Sequence, residues 1–180
     1  LLPCADDARL LVFPLEVRRG SVTLRPALQR SHFDGGERMK PVSELLNKRD
    51  GTLWHVRPED SVFTALELLA QGGVGALVVM DGARLVGVVS ERDYTRKVAL
   101  QGRNSRETPV SEIMSAQVLT VTPRTGTRTC MQLMSERKIR HLPVVDQGTV
   151  LGMLSIRDIL DDIIATHEAT IAQLESYIQS

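Results

Sequence analysis

Two heptapeptides hold the residues best suited to chemistry: Gly87-Val88-Val89-Ser90-Glu91-Arg92-Asp93 and Gly152-Met153-Leu154-Ser155-Ile156-Arg157-Asp158. Each has a glycine, two apolar residues, a serine and an Arg-Asp pair, at what reads as a strand-to-helix junction. A helix N-terminus presents unpaired N–H groups and partial positive charge, which suit a phosphate. A carboxylate three residues after a serine is placed to accept from both hydroxyls of a ribose, and the serine adds a further contact. The same Ser-x-x-Asp spacing also reads as a capping box, with the acid reaching back to the start of the helix. The two roles are compatible, since the serine oxygen has more than one lone pair.

The motif recurs because the sequence repeats. Pro58, Asp81, Gly87, Ser90 and Asp93 are followed, each 65 positions later, by Pro123, Asp146, Gly152, Ser155 and Asp158. Periodicity of this kind signals one supersecondary unit used twice. Each unit begins with a short helical lead-in (42–46; 110–114) and an extended stretch (52–56; 117–121). A helix follows, capped in the first unit by Asp60 or Ser61, with Val62, Leu66, Leu69 and Ala70 as its apolar stripe. Its counterpart runs over 127–138. Two short β-rich runs come next, 75–80 with 84–89 and 142–145 with 150–154, joined by Asp-Gly or Asp-Gln-Gly turns that predict hairpins. Final helices start at Ser90 and Ser155. The expected fold is therefore α/β (α+β), built from two pseudo-symmetric β-α-β-β-α halves.

These paired motifs, the Val-x-Pro starts and the run Arg140-His141-Leu142-Pro143-Val144-Val145-Asp146 resemble cystathionine-β-synthase-type (CBS) domains. The resemblance covers about residues 39–164, and the pair is similar to the Bateman module of nucleotide-regulated enzymes, channels and small free-standing proteins. It implies two repeats, 39–104 and 105–164, packed head to tail, with two clefts for AMP, ADP, ATP, NAD(H)-type or S-adenosyl ligands. In one cleft the resemblance implies that Ser90 and Asp93 hold ribose, that adenine lies near Val118, Leu119 and Val88, and that His141 and Arg157 face the phosphates. In the other it implies ribose on Ser155 and Asp158, adenine near Leu53, Trp54 and Met153, and phosphate facing Arg92.

The clefts are expected to differ. The first repeat has Gly75-Ala76-Leu77-Val78 where the second has Arg140-His141-Leu142-Pro143. The Ser90/Asp93 cleft should therefore prefer phosphorylated ligands more strongly, since charge-assisted contacts are the stronger ones. Arg96 and Lys97 are placed to reach a longer polyphosphate or a partner. Other readings stand beside these: His141 as a polar residue at a strand start, Arg92 and Arg157 as surface ion-pair partners, and Trp54 as a half-buried core residue. Gly72-Gly73-x-Gly75 reads as a helix stop rather than a dinucleotide fingerprint.

Composition narrows the classes. Lys plus Arg and Asp plus Glu are both 22, so no excess positive charge favours a nucleic-acid backbone. Aromatics are 3%, which demands an aliphatic core. No apolar run reaches the ~18–20 residues of a membrane span. Cys4 and Cys130 lack a nearby histidine for a metal site, and Cys130 lies beside Met131 and near Met134 as a buried, reduced thiol would. A cytoplasmic location is expected. Residues 1–38 show no sustained period and read as an N-terminal extension, poorly ordered or non-native, with Met39 as a possible natural start.

Residues 165–180 continue the last helix, and Leu160, Ile163, Ile164, His167, Ile171, Leu174 and Ile178 recur every three or four positions. That apolar face predicts a homodimer, with packing back over its own module or the N-terminal segment as the alternative. The expected function is a regulatory sensor that binds an adenine nucleotide and modulates an unidentified partner protein. The alternative is a structural dimerisation module with vestigial clefts. An enzyme is disfavoured, because His32, His55, His141 and His167 do not cluster with a nucleophile and no phosphate-loop, dinucleotide or zinc signature appears.

Overall fold

The computed structural model describes residues 40–47 and 51–178. The N-terminal extension, Cys4 and Met39 lie outside the described residues. In chain order the elements are α1 (Val42–Leu46), β1 (His55–Val56), α2 (Val62–Gly72), β2 (Ala76–Asp81), β3 (Arg84–Ser90) and α3 (Glu91–Lys97), then α4 (Thr127–Arg137), β4 (His141–Asp146), β5 (Thr149–Ser155) and α5 (Ile156–Ile178). Two one-turn helical segments, Ala99–Gln101 and Val110–Glu112, lie between the halves. The fold is α+β.

The 65-residue offset survives in the backbone. β1 runs parallel to β2 with Val56 opposite Val79, and β2 pairs antiparallel with β3. In the second half β4 and β5 pair in the same register, and each hairpin shifts register at the equivalent place, Val79/Met80 and Val144/Val145. The second half's first strand shrinks to one parallel bridge, Val121 to Val144. It is held by Val121 N–H donating to Pro143 at 3.0 Å and Val145 N–H donating to Val121 at 2.8 Å.

Turn chemistry sets the ends of these elements. Ser61 caps α2 by accepting from Thr64 N–H at 3.1 Å, and Gly73 ends it in the left-handed region at φ 58°. The position equivalent to Gly73 is Lys138, at φ 53°, and that equivalent to Gly82 is Gln147, at φ 47°. A non-glycine side chain is uncommon in this region, so Lys138 and Gln147 stand where glycine would be easier. Along α2 the buried residues are Val62, Ala65 and Leu69; Ala70, expected on the stripe, is exposed, because the inward face advances by three and then four positions.

Two aliphatic cores result, and each borrows from the other half of the chain. The first joins Val56, Val62, Leu69, Leu77, Val79 and Val89 to Val110 and Ile113, which open the second repeat. The second joins Val121, Cys130, Met134, Leu142, Leu154 and Ile159 to Val42 and Leu45 of α1. The lead-ins have thus changed places. Val88 and Ser115 exchange backbone hydrogen bonds at 3.1 and 2.9 Å, and Val42 N–H donates to Thr125 at 3.0 Å. Each fully buried Val, Leu or Ile contributes about 1.5–3 kcal/mol, so four exchanged side chains tie the halves firmly. The periods 39–104 and 105–164 therefore describe the sequence, while in space 42–46 belongs with the second core and 110–114 with the first.

Close approach explains two glycines. A Cβ on Gly87 would lie 2.5 Å from Met114 Sδ, and one on Gly152 would lie 2.9 Å from Leu46 Cδ2. The strand glycines of the two heptapeptides make room for the exchanged lead-ins. Among the described residues no helix is long and apolar enough to cross a membrane.

Candidate functional site

Both heptapeptides fold as the sequence suggests, each strand running straight into a helix whose first turn is closed by its own serine and aspartate. Asp93 Oδ2 accepts from Ser90 N–H at 3.1 Å and from Ser90 Oγ–H at 2.6 Å, while Ser90 Oγ accepts from Asp93 N–H at 3.4 Å. In the second repeat Asp158 Oδ2 accepts from Ser155 N–H and from Ser155 Oγ–H, both at 2.7 Å, and Ser155 Oγ accepts from Asp158 N–H at 3.3 Å. Capping is therefore a real function of these pairs. It fixes the carboxylate rotamer at the mouth of a cleft.

Two clefts open beside these caps. The first, about 270 Å³, holds Ser90 and Asp93 with Val88, Val118, Leu119 and His141. The second, about 490 Å³, holds Ser155 and Asp158 with Leu53, Trp54, Met153 and again His141. Both are near the size range of small-molecule sites, about 300–1,000 Å³. Trp54 is half-buried, and its ring rests on Gly72, where a Cβ would lie 2.8 Å from Cε2. It is thus both core and cleft wall, and Gly72 serves as its platform as well as ending α2.

The arginines depart from expectation. Arg92 lines the first cleft and Arg157 the second, so each stands beside the serine and aspartate of its own repeat rather than across from them. Both follow the N-cap serine by two positions, and the first turn keeps them at their own cleft. Arg92 Nη1 also donates to the Lys138 carbonyl at 3.1 Å, bridging the repeats. Lys97 lines neither of these clefts: its Nζ sits 2.9 Å from Asp93 Oδ1 and donates to the Ile113 carbonyl at 2.5 Å. Arg96 does line the first cleft.

Sequence reasoning missed Lys138 and the full reach of Arg140. Arg140 and His141 border both clefts, as do their symmetry counterparts Gly75 and Ala76. The signal for Lys138 was the glycine it replaces at the aligned position, a side chain kept at a backbone cost. The first cleft is consequently lined by Arg92, Arg96, Lys138 and Arg140 against the single carboxylate of Asp93. The second has Arg140 and Arg157 against Glu91 and Asp158. The first cleft is the more cationic.

Cys130 is fully buried, and burial pushes its thiol up to about 12, so it supplies no nucleophile. Among the described residues no group of three or more His, Cys, Asp or Glu is placed to hold a metal ion.

The CBS-domain family model matches this chain twice, over residues 42–100 and 110–165. The chain belongs to the CBS-domain family. CBS domain-containing protein CBSX3, mitochondrial, from Arabidopsis thaliana is 33% identical over 91% of this chain and 92% of its own length. The solved structure of a signal-transduction protein with CBS domains from Burkholderia ambifaria is 44% identical, with a TM-score of 0.68 over 70% of this chain and 95% of that one. The CBS domain pair of protein MJ0100, solved with 5′-methylthioadenosine and S-adenosyl-L-methionine, is 22% identical, with a TM-score of 0.63 over 71% of this chain and 98% of that one. The two CBS matches meet the two structural repeats, and each contains one of the Ser-x-Arg-Asp motifs.

Proposed function

We propose that this CBS pair is a regulatory module that binds an adenine nucleotide in its inter-repeat clefts, catalyses no reaction and modulates a partner protein. The observation that carries the reading is the first cleft: a preset Ser90/Asp93 pair, the apolar Val88, Val118 and Leu119, and four cationic side chains face one space. That combination matches a ribose, an adenine and a phosphate in turn. AMP, ADP, ATP and NAD(H) all satisfy it, and the S-adenosyl ligand of the MJ0100 pair is of the same adenosine class. The charge difference favours phosphorylated ligands in the first cleft and less charged adenosine compounds in the second.

The module acts as a homodimer in the cytoplasm on this reading, with a ligand biasing two conformations of unequal affinity. The mitochondrial relative makes compartment a matter for fractionation. A scaffold with vestigial clefts is the second reading, favoured by one observation: Ser90, Asp93, Ser155 and Asp158 already satisfy one another as caps.

Calorimetric titration of AMP, ADP, ATP, NADH and S-adenosylmethionine into wild type, Asp93→Ala and Asp158→Ala decides between them. Saturable binding of the phosphorylated ligands, lost chiefly with Asp93→Ala, is the expected result. Folded, ligand-free protein that binds none of the five would overturn the sensor reading and leave the scaffold.

A further inference from the structure

The helix α5 has two lives along its length. Its first turns press Ile159 fully, and Ile156 and Ile163 partly, into the second core. From Ile164 to Ile178 every residue is exposed. Leu160, Ile164, Ile171, Leu174 and Ile178 are 46, 55, 56, 58 and 82% exposed. A lone helix of about 12–15 residues is marginal in water, so a stretch this apolar needs a partner to persist.

The spacing of that stretch says which partner. Leu160, Ile164, His167, Ile171, Leu174 and Ile178 alternate steps of four and three, a heptad seam with Ile at every a position (164, 171, 178) and Leu or His at d (160, 167, 174). β-Branched Ile at a with Leu at d favours two parallel strands. A continuous seam of this kind is self-complementary, so a second copy fills it. The flanking charges choose the same orientation. Every e position is acidic (Asp161, Glu168, Glu175), and the g positions are Ile163, Thr170 and Tyr177. Parallel helices set e against g, so each acid meets an uncharged residue. Antiparallel helices set e against e, placing Glu168 against its own copy and Asp161 against Glu175 twice. Like charges so placed act against that arrangement.

We infer that α5 pairs with α5 of a second copy as a parallel, in-register coiled coil from Leu160 to Ile178, about 28 Å long. The inference rests on the homodimer proposed above and specifies its seam and orientation. His167 meets its own copy at the central d layer, and a polar residue inside a seam fixes register at a cost in stability.

The full chain, with Cys4→Ser so that Cys130 is the sole native thiol, carries the test. Ile164→Cys should form a disulfide-linked dimer on mild oxidation, because in-register copies bring the two positions within bridging range, Cα to Cα under roughly 7 Å. Mixing Ile164→Cys with Leu174→Cys should give homodimers and no mixed disulfide; a mixed product in preference would overturn the parallel arrangement. Sedimentation of Ile171→Lys/Leu174→Lys should show dissociation at least tenfold easier than wild type, and His167→Leu a tighter dimer. Circular dichroism and nucleotide titration report whether the module remains folded. A dimer unaffected by Ile171→Lys/Leu174→Lys would leave the homodimer standing and overturn α5 as its seam. A wild-type chain that is monomeric at high concentration would overturn both.

Discussion

His141 stands against the bare backbone of Gly75: a Cβ there would lie 3.3 Å from His141 Cε1 and 3.4 Å from Nε2. The two residues belong to different repeats, and both border both clefts. Glycine at this position lets the imidazole lie in the wall that the clefts share. The symmetry-related place of His141 is taken by Ala76, so one His141 and one Arg140 border both clefts.

Gly75→Val should push the imidazole out of that wall. We expect adenylate affinity to fall roughly tenfold in both clefts, about 1.4 kcal/mol, with little change in the unliganded melting curve. Titration calorimetry checks it, and an unchanged affinity would show that His141 does not face the ligand.

The arginines should separate the clefts. Arg92→Ala is expected to weaken AMP binding in the Ser90/Asp93 cleft and leave the other site intact, and Arg157→Ala the reverse. Charge-assisted hydrogen bonds of this type contribute about 1.5–3 kcal/mol each. Titration into each variant on an Asp158→Ala or Asp93→Ala background isolates one cleft at a time.

Caps carry stability without any ligand. Ser90→Ala and Ser155→Ala should each cost about 1 kcal/mol, the usual loss for an N-cap serine. Urea denaturation of ligand-free protein measures this, and two variants no less stable than wild type would contradict the geometry at 2.6–3.4 Å described above.

The exchanged lead-ins should show up as packing energy. Gly87→Ala is expected to destabilise by about 1–3 kcal/mol through overpacking, and Met114→Ala in the same chain should recover part of that loss. A double-mutant cycle by chemical denaturation tests the coupling, since residues in contact depart from additivity by ~0.5–3 kcal/mol.

Cys130 ties stability to pH at the alkaline end. Burial pushes its thiol up from 9.0 to about 12, so above pH 9 the unfolded chain has lost a proton that the folded chain keeps. Stability from this group is complete below pH 9 and falls as pH rises toward about 12. Cys130→Val should flatten that decline in denaturation curves taken across the window, and native Cys130 should resist alkylation that readily follows unfolding.

Much of this was legible in the residues. The constant 65-residue spacing, the Asp-Gly and Asp-Gln-Gly turns and the Ser-x-x-Asp boxes are local signals, and the register, the hairpins and the caps follow them. The placement of Arg92 and Arg157 beside the serine and aspartate of their own repeats had a local signal, their two-residue spacing after Ser90 and Ser155, which the expectation of contacts across the clefts passed over. The exchange of Val42 and Leu45 for Val110 and Ile113 was hidden. Both lead-ins are short apolar turns, and nothing in their own spacing names the core they enter.

That exchange has a bearing on how the protein is made. A nascent chain that has emerged only as far as residue 104 lacks Val110 and Ile113 and leaves its first core open, while α1 waits for strands not yet synthesised. Neither half is a finished object until both exist. Splitting the gene between the repeats would yield two pieces that must find each other, and each would carry the other's missing wedge.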